Sequence, residues 1–494
     1  MTSSWVMAAW KTATVLTLPY LPQIVSECAA IIPLVCHLAS YKQDYELVGQ
    51  LALTQRLPVD IFPRLGVLYG LSKLLQRSTE YIDRASTKGA ESWTVWDVRW
   101  GSIFPCANGG ASSMIIQHVV GTQITTMPDT LSESPLEDAA STISPSGSDS
   151  SVPQADRAVR TDEKASATLS NQRGKVPSTT PPRQHTAKSS SSGQGNRSGG
   201  YRRMQTLHVL QFDRANPRVS WLGRVDAVLD SFLGQCLSNL CLLCATAALF
   251  AFGLYGSAVV IACGCIARFA CKLATIERPS GYLQNNEADK DTFMLVGLHQ
   301  NTSDWYLFAG DRGIVDSLLN KPMVVVLPSR WNETLAWILR CSHAAQLIAM
   351  IFVAGQKGWD GIALVIIMAL NVLSRWRWTD GLIVKRWMDA EGIDVHARSF
   401  NFTGRTMMLG AVQEFSQSDC ESWMDGIVSP HRRRDAWLAR LRALAKEQSP
   451  GRDEALNNTS DWSTHDWRSI LLSSGLAHEA AKVLKKEFAK EASA

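Results

Sequence analysis

At 494 residues the chain has room for two or three domains and a sizeable core. A formal charge of +4 is small for that length and argues against a dedicated nucleic-acid binder. The 11 cysteines follow no disulfide-scaffold spacing, and six of them (Cys236, Cys241, Cys244, Cys263, Cys265, Cys271) lie in one apolar run. There they read as small packing residues or, near the ends, as palmitoylation candidates. Cys241 and Cys244 are spaced like half of a zinc site, but a closed site needs four ligands and no partner pair is evident. No metal or cofactor is expected.

Residues 1–127 form an N-terminal region. Its first 40 residues are apolar but cut by Lys11, Pro19, Pro22, Glu27 and Pro33. A cleaved signal peptide needs a basic start and an unbroken apolar centre, whereas the best window, 12–18, is short and ends at a proline. A buried or surface helix is the plainer reading, and an extra membrane segment is the alternative. Leu65, Leu68, Leu71, Leu75 and Ile82 recur near helical spacing and predict an amphipathic helix. Trp93, Trp96 and Trp100 suggest a small packed unit or an interface patch. Residues 114–127 alternate as a strand would. Residues 128–200 are dense in Ser, Thr, Pro, Gly and Gln and cannot bury enough surface to offset ordering entropy, so they read as a disordered linker.

The next region, 201–275, holds the longest apolar run. Residues 231–267 carry no charge. A helix crosses a hydrocarbon core of about 30 Å in about 20 residues, so the run is too long for one span. It suffices for two if Arg268 and Lys272 snorkel, with the turn at Gly253-Leu254-Tyr255-Gly256. Residues 276–331 read as a small mixed α/β segment: strands at 292–298 and 323–327, and between them a helix at 313–320. Asp311 would cap that helix and Asn320-Lys321-Pro322 would stop it. A second hairpin is expected in 332–378, from uncharged stretches at 341–356 and 361–374 that Arg340, Arg375 and Arg377 lengthen. Trp331, Trp337, Trp359, Trp376 and Trp378 stand at its ends like an interfacial aromatic belt. Residues 379–494 read as a C-terminal cytosolic helical region. In it Trp437, Leu438, Leu441, Leu444 and Ala445 line one side of a helix that follows the basic run His431-Arg432-Arg433-Arg434. A membrane-surface helix and a bundle helix explain that pattern equally.

The expected class is therefore mainly α: a polytopic helical membrane protein with two transmembrane hairpins, a small mixed α/β segment between them, and a disordered linker. Basic residues flank the outer ends of both hairpins (Arg214, Arg218, Arg224, Lys272 and Arg278; Arg330, Arg375, Arg377, Lys385 and Arg386), and the turns hold only Lys357. The positive-inside rule then puts the linker, the central segment and the C-terminal region in the cytosol. Sequons at Asn196, Asn301, Asn332, Asn401, Asn457 and Asn458 would need a lumenal face instead.

One motif invites chemistry. His299 and Asp304, with four residues between them, follow a predicted strand. The pair resembles that of membrane-bound glycerolipid acyltransferases, and the resemblance implies His299 as general base toward an acceptor hydroxyl and Asp304 as its orienter. Leu298 stands where those enzymes usually have Asn, and no Phe-Pro-Glu-Gly block follows; Phe352-Val353-Ala354-Gly355 is the nearest echo. In the alternative, Ser303 or Asp304 caps a helix and His299 is a half-buried strand-end residue.

A wider set of blocks points elsewhere: Arg278-Pro-Ser-Gly-Tyr282, Phe293-Met-Leu-Val-Gly-Leu-His299, the stretch from Gly310 to Pro322, Ala354-Gly-Gln-Lys-Gly-Trp-Asp360, Ser399-Phe-Asn-Phe-Thr-Gly-Arg405 and Trp423-Met-Asp-Gly-Ile427. Over roughly 275–430 the chain resembles a group of uncharacterised fungal multi-pass integral membrane proteins. The resemblance implies architecture and setting but no activity. The function expected is non-enzymatic, a membrane scaffold or organising component, with the acyltransferase-like enzyme as alternative. A transporter or channel component is third; the polar residues His343, Gln346 and Asn371 within the second hairpin are too few for a transporter core and read more plainly as helix–helix hydrogen-bonding groups. The lipid bilayer is the expected partner, nucleic acid is not, and any protein partner would meet the C-terminal helices.

Overall fold

Seven strands collected from across the chain build one mixed sheet: β1 (Thr94–Asp97), β2 (Ile103–Pro105), β3 (Ile124–Thr126), β4 (Gln205–Arg214), β6 (Asp291–Gly297), β7 (Asp304–Asp311) and β9 (Ile393–Phe402). Their order is β2-β1-β6-β7-β4-β9-β3, while β5 (Ile276–Glu277) and β8 (Val325–Val326) form a separate pair. The computed structural model describes residues 18–57, 59–87, 92–121, 124–127, 203–217, 232–356, 358–375, 379–446 and 463–489, all within one unit. The expected disordered linker lies outside them, as do Arg218, Arg224, Lys357, Trp376, Arg377 and Trp378.

The protein is mainly helical, but its mixed α/β part is far larger than the 276–331 segment the sequence suggests. The reason is burial on both faces of the sheet. Along β4, Leu207 and Val209 enter one core while Leu210 and Phe212 enter the other; along β7, Trp305 and Leu307 oppose Phe308 in the same way. A strand apolar on both sides shows no period of two and is easily passed over. One face is covered by α12 (Arg405–Phe415), α13 (Arg432–Ala445) and α14 (Thr464–Ala489). The other is covered by α5 (Gly109–Val119), α8 (Arg312–Leu319) and α11 (Asp380–Glu391).

Several expectations are met locally and others corrected. Asp311 caps α8, its carboxylate accepting from the Ile314 N–H at 3.1 Å. The predicted amphipathic helix divides into α3 (Val67–Arg77) and α4 (Thr79–Thr87) at Ser78, whose φ of 47° breaks the ladder. Residues 109–119 are helical rather than extended, and only β3 remains of the predicted strand. Small residues at the start of α5 allow this, since Gly110 lies against the backbone of Tyr45 and Gly49. α13 takes the bundle alternative: Trp437, Leu438 and Leu441, the side that would have met a membrane, are buried in the core.

Beyond α2 (Asp44–Thr54) and α3 the structure continues as a helical bundle. The apolar run folds as α6 (Phe232–Ala251) and α7 (Tyr255–Leu273), and the turn falls where expected, with Gly253 at φ 76°. α9 (Asn332–Gln356) and α10 (Trp359–Arg375) make the second pair, and α1 (Gln23–Ala39) packs against both of them. α7 and α9 are long and apolar enough to cross a membrane; the apolar parts of their partners, Cys236–Ala251 and Trp359–Ser374, are shorter. α1 and α2 pass the same test only together, across a 77° bend. The first turns of α9 bury Leu335, Ala336 and Leu339 against α3, where Arg340 donates to Ser72 Oγ at 3.2 Å.

At the turn end of the bundle, Asp360 of α10 reaches across to α7. Its carboxylate accepts from the N–H groups of Gly256 (2.9 Å) and Ser257 (2.8 Å), and its carbonyl accepts from Ser257 Oγ (2.9 Å). Leu254, at the N-cap of α7, has no side-chain cap of its own, so the neighbouring hairpin supplies it. Nearby, a Cβ on Gly361 would stand 2.6 Å from the backbone of Ala29, which brings α1 and α10 into backbone contact. Asn371 closes a further polar link, donating to the Phe62 carbonyl at 2.8 Å. Of the sequence's three polar bundle residues, this one ties α10 to the loop that precedes α3.

Candidate functional site

His299 and Asp304 sit in the hairpin between β6 and β7. Asp304 opens a strand where the sequence suggests a helix, so the pair spans a turn closed by the Thr302 N–H bonding the His299 carbonyl at 3.0 Å. The His299 Nδ1 accepts from the Asn301 N–H at 3.0 Å, and the Asp304 carboxylate accepts from Ser303 Oγ at 3.0 Å. No hydrogen bond or ion pair joins the two side chains. The loop is anchored by arginines: Arg203 donates to the Asn301 carbonyl (2.7 Å) and Arg405 to its side-chain oxygen (3.0 Å).

Asp311 and Arg312, which could have completed a cleft with that pair, stand at the other end of β7, about 23 Å away at about 3.3 Å per residue. Asp311 is used by its cap and by Arg214, whose Nε donates to it at 2.8 Å. Arg312 is buried, and its Nε and Nη1 have no hydrogen-bond partner. Its guanidinium lies 5.7 Å from the Trp100 ring. Asp97 is close enough to feel its charge, but burial still pushes the Asp97 carboxyl above the usual carboxylate range. The Asp97 side chain accepts from the N–H groups of Arg99 (2.9 Å) and Trp100 (3.0 Å), which holds the turn after β1.

The sequence reading passes over a third cluster, on the face of the sheet itself. Strand register puts His208 beside both Tyr306 and Ser399. His208 Nδ1 and Ser399 Oγ share a hydrogen bond of 2.7 Å, and the imidazole stacks on the Tyr306 ring at 4.9 Å. Burial holds the His208 pKa below its ordinary value, partly offset by the negative charge of Asp304 on the next strand. Burial likewise raises the Tyr306 phenol, with Asp304 adding to it. A serine bonded to an imidazole is the geometry of an activated nucleophile. Here, though, Ser399 is only 3% exposed in mid-strand and no carboxylate bonds the imidazole, so the pair ties β4 to β9 and leaves no approach for a substrate. Only tertiary pairing could reveal it, since its members are 191 residues apart.

An opening of another kind lies on the bundle. A groove of about 640 Å³ runs between α7 and α9, with Cys263 and Ile266 on one wall and Glu333, Trp337, Cys341 and Ala345 on the other. Cys241 and Cys244 are exposed on α6, and among the described residues no group of three His, Cys, Asp or Glu side chains could hold a metal ion. Comparison with known proteins finds no matching family model, no matching curated protein and no matching solved structure.

Proposed function

We propose that this chain is a multi-pass integral membrane protein in which two helical hairpins anchor a cytosol-facing three-layer α/β/α domain, and that its role is that of a non-enzymatic scaffold or organising component. The observation that carries the membrane half is where large apolar side chains are left in the open. Ile31 and Val35 of α1, Leu237 and Leu240 of α6, Ile266 and Phe269 of α7, Ile348 and Ile351 of α9, and Leu370 and Leu373 of α10 are all exposed. A monomer in water rarely leaves such a belt uncovered, whereas hydrocarbon covers it without cost. Trp331 and Trp337, exposed at the start of α9, suit the interface. The resemblance of 275–430 to uncharacterised fungal membrane proteins supports the same reading.

The non-enzymatic half rests on the separate partners of His299 and Asp304 and on the enclosure of Ser399. Asn332 is buried and the Asn401 side chain accepts from Thr206 Oγ1 at 3.0 Å, so neither sequon is presented to a glycosyltransferase. Two measurements test the proposal. Full-length protein should stay with membranes through alkaline carbonate and leave them only in detergent; release by carbonate refutes membrane integration. His299→Ala should leave abundance and cellular lipid profile unchanged. A changed lipid profile at normal abundance would transfer the argument to acyl transfer.

A further inference from the structure

The groove between α7 and α9 has a polar end and an apolar end, and they are ordered along the axis of α9. Glu333 and Thr334 lie at the helix start; Trp337, Cys341 and Ala345 follow at successive turns. From Glu333 to Ala345 is twelve residues, about 18 Å of helix. One leaflet of a hydrocarbon core is about 15 Å deep, half of about 30 Å. The part below the polar end, from Trp337 to Ala345, is about 12 Å long and fits within the depth of one leaflet. Its volume of about 640 Å³ falls in the range of ligand-sized cavities, about 300–1,000 Å³.

The polar end specifies the headgroup. Glu333 makes no hydrogen bond or ion pair with any described residue. An unpaired carboxylate with a neighbouring threonine hydroxyl favours a cation that donates hydrogen bonds and repels a net negative charge. A quaternary ammonium donates none and is held by a cage of aromatic faces, whereas this groove offers one indole. Arg330 lies in the turn that enters α9, 5.5 Å from the Trp331 ring, and is not part of the groove lining.

We infer that this groove is a binding site for one phospholipid with a primary-ammonium headgroup, an ethanolamine phospholipid, its ammonium on Glu333 and one acyl chain along Trp337, Cys341 and Ala345. The inference rests on the membrane reading above, and the test separates the two. Full-length protein is reconstituted into phosphatidylcholine vesicles carrying a minor fraction of brominated-chain phosphatidylethanolamine, phosphatidylcholine or phosphatidylserine. The quenching assigned to Trp337 is the difference between wild type and Trp337→Phe. The expected result is at least about tenfold stronger occupancy by the ethanolamine lipid than by either other lipid, as one charge-assisted hydrogen bond supplies. Glu333→Gln should remove the preference, and Ala345→Leu should remove Trp337 quenching by blocking the tail. Equal quenching by the three lipids, or quenching by phosphatidylserine as strong as by phosphatidylethanolamine, overturns the site while leaving the membrane reading intact. Protein that does not float with the vesicles overturns both.

Discussion

Replacing Asp360 tests whether the two hairpins form one structure. In Asp360→Ala the N–H groups of Gly256 and Ser257 lose a charged acceptor at 2.9 and 2.8 Å, at a place where Asp360 itself is only 4% exposed. Each buried donor left unsatisfied costs about 1–3 kcal/mol, and loss of a negative charge at a helix N-terminus adds about 0.3–1 kcal/mol. The sum is about 2–7 kcal/mol, a large share of the roughly 5–15 kcal/mol that holds an ordinary protein folded. Asp360→Asn keeps one acceptor oxygen and should lose about half of that. Ser257→Ala removes only the hydroxyl bond of 2.9 Å to the Asp360 carbonyl and should cost about 1 kcal/mol. Thermal unfolding of the full chain in mild detergent should rank wild type above Ser257→Ala, then Asp360→Asn, then Asp360→Ala. An Asp360→Ala protein as stable as wild type would refute the reasoning, because the N-terminus of α7 would then need no cap from α10.

The sheet offers two further tests. His208 is held with its pKa below the unfolded value of about 6.5. The unfolded chain therefore takes up the proton first as pH falls, and the stability that His208 contributes is present above about pH 6.5 and lost as pH drops through the folded value. His208→Gln should flatten this part of the stability–pH curve between about pH 7.5 and 5.5, and an unchanged slope would show that another group controls it. Arg312 carries buried N–H groups without acceptors, so Arg312→Met should be neutral or stabilising by about 1 kcal/mol in thermal unfolding; a loss above about 2 kcal/mol would show that the guanidinium is paired in solution.

Much of the bundle was legible because its signals are local. A charge-free run with a glycine near its middle announces two helices and a turn, and Gly253 takes the left-handed conformation that turn needs. Asp311 announces its helix in the same way. The sheet was not legible to that degree. β4 and β7 are apolar toward both faces, so neither alternates, and their parallel pairing joins Thr206 to Asp304 across 98 residues of sequence. α5 shows the opposite failure: isoleucines and a valine suggest a strand, and only the close approach of Gly110 to Gly49 decides for a helix. The site followed the same division. The His299–Asp304 spacing was visible and proves to span a turn, while the His208–Ser399 bond was invisible because register alone creates it.

The order of strands also defines what kind of object the N-terminal region is. Residues 94–126 contribute β2 and β1 at one edge of the sheet and β3 at the other, and everything between those edges comes from beyond residue 203. Met127 bonds the Asn401 carbonyl and Gln205 pairs with Phe402, so the chain leaves and re-enters on either side of β9, about 10 Å apart at two strand spacings. The early part of the chain thus sets three-residue strands at both edges of the sheet, and short edge strands are poor templates for pairing with foreign strands.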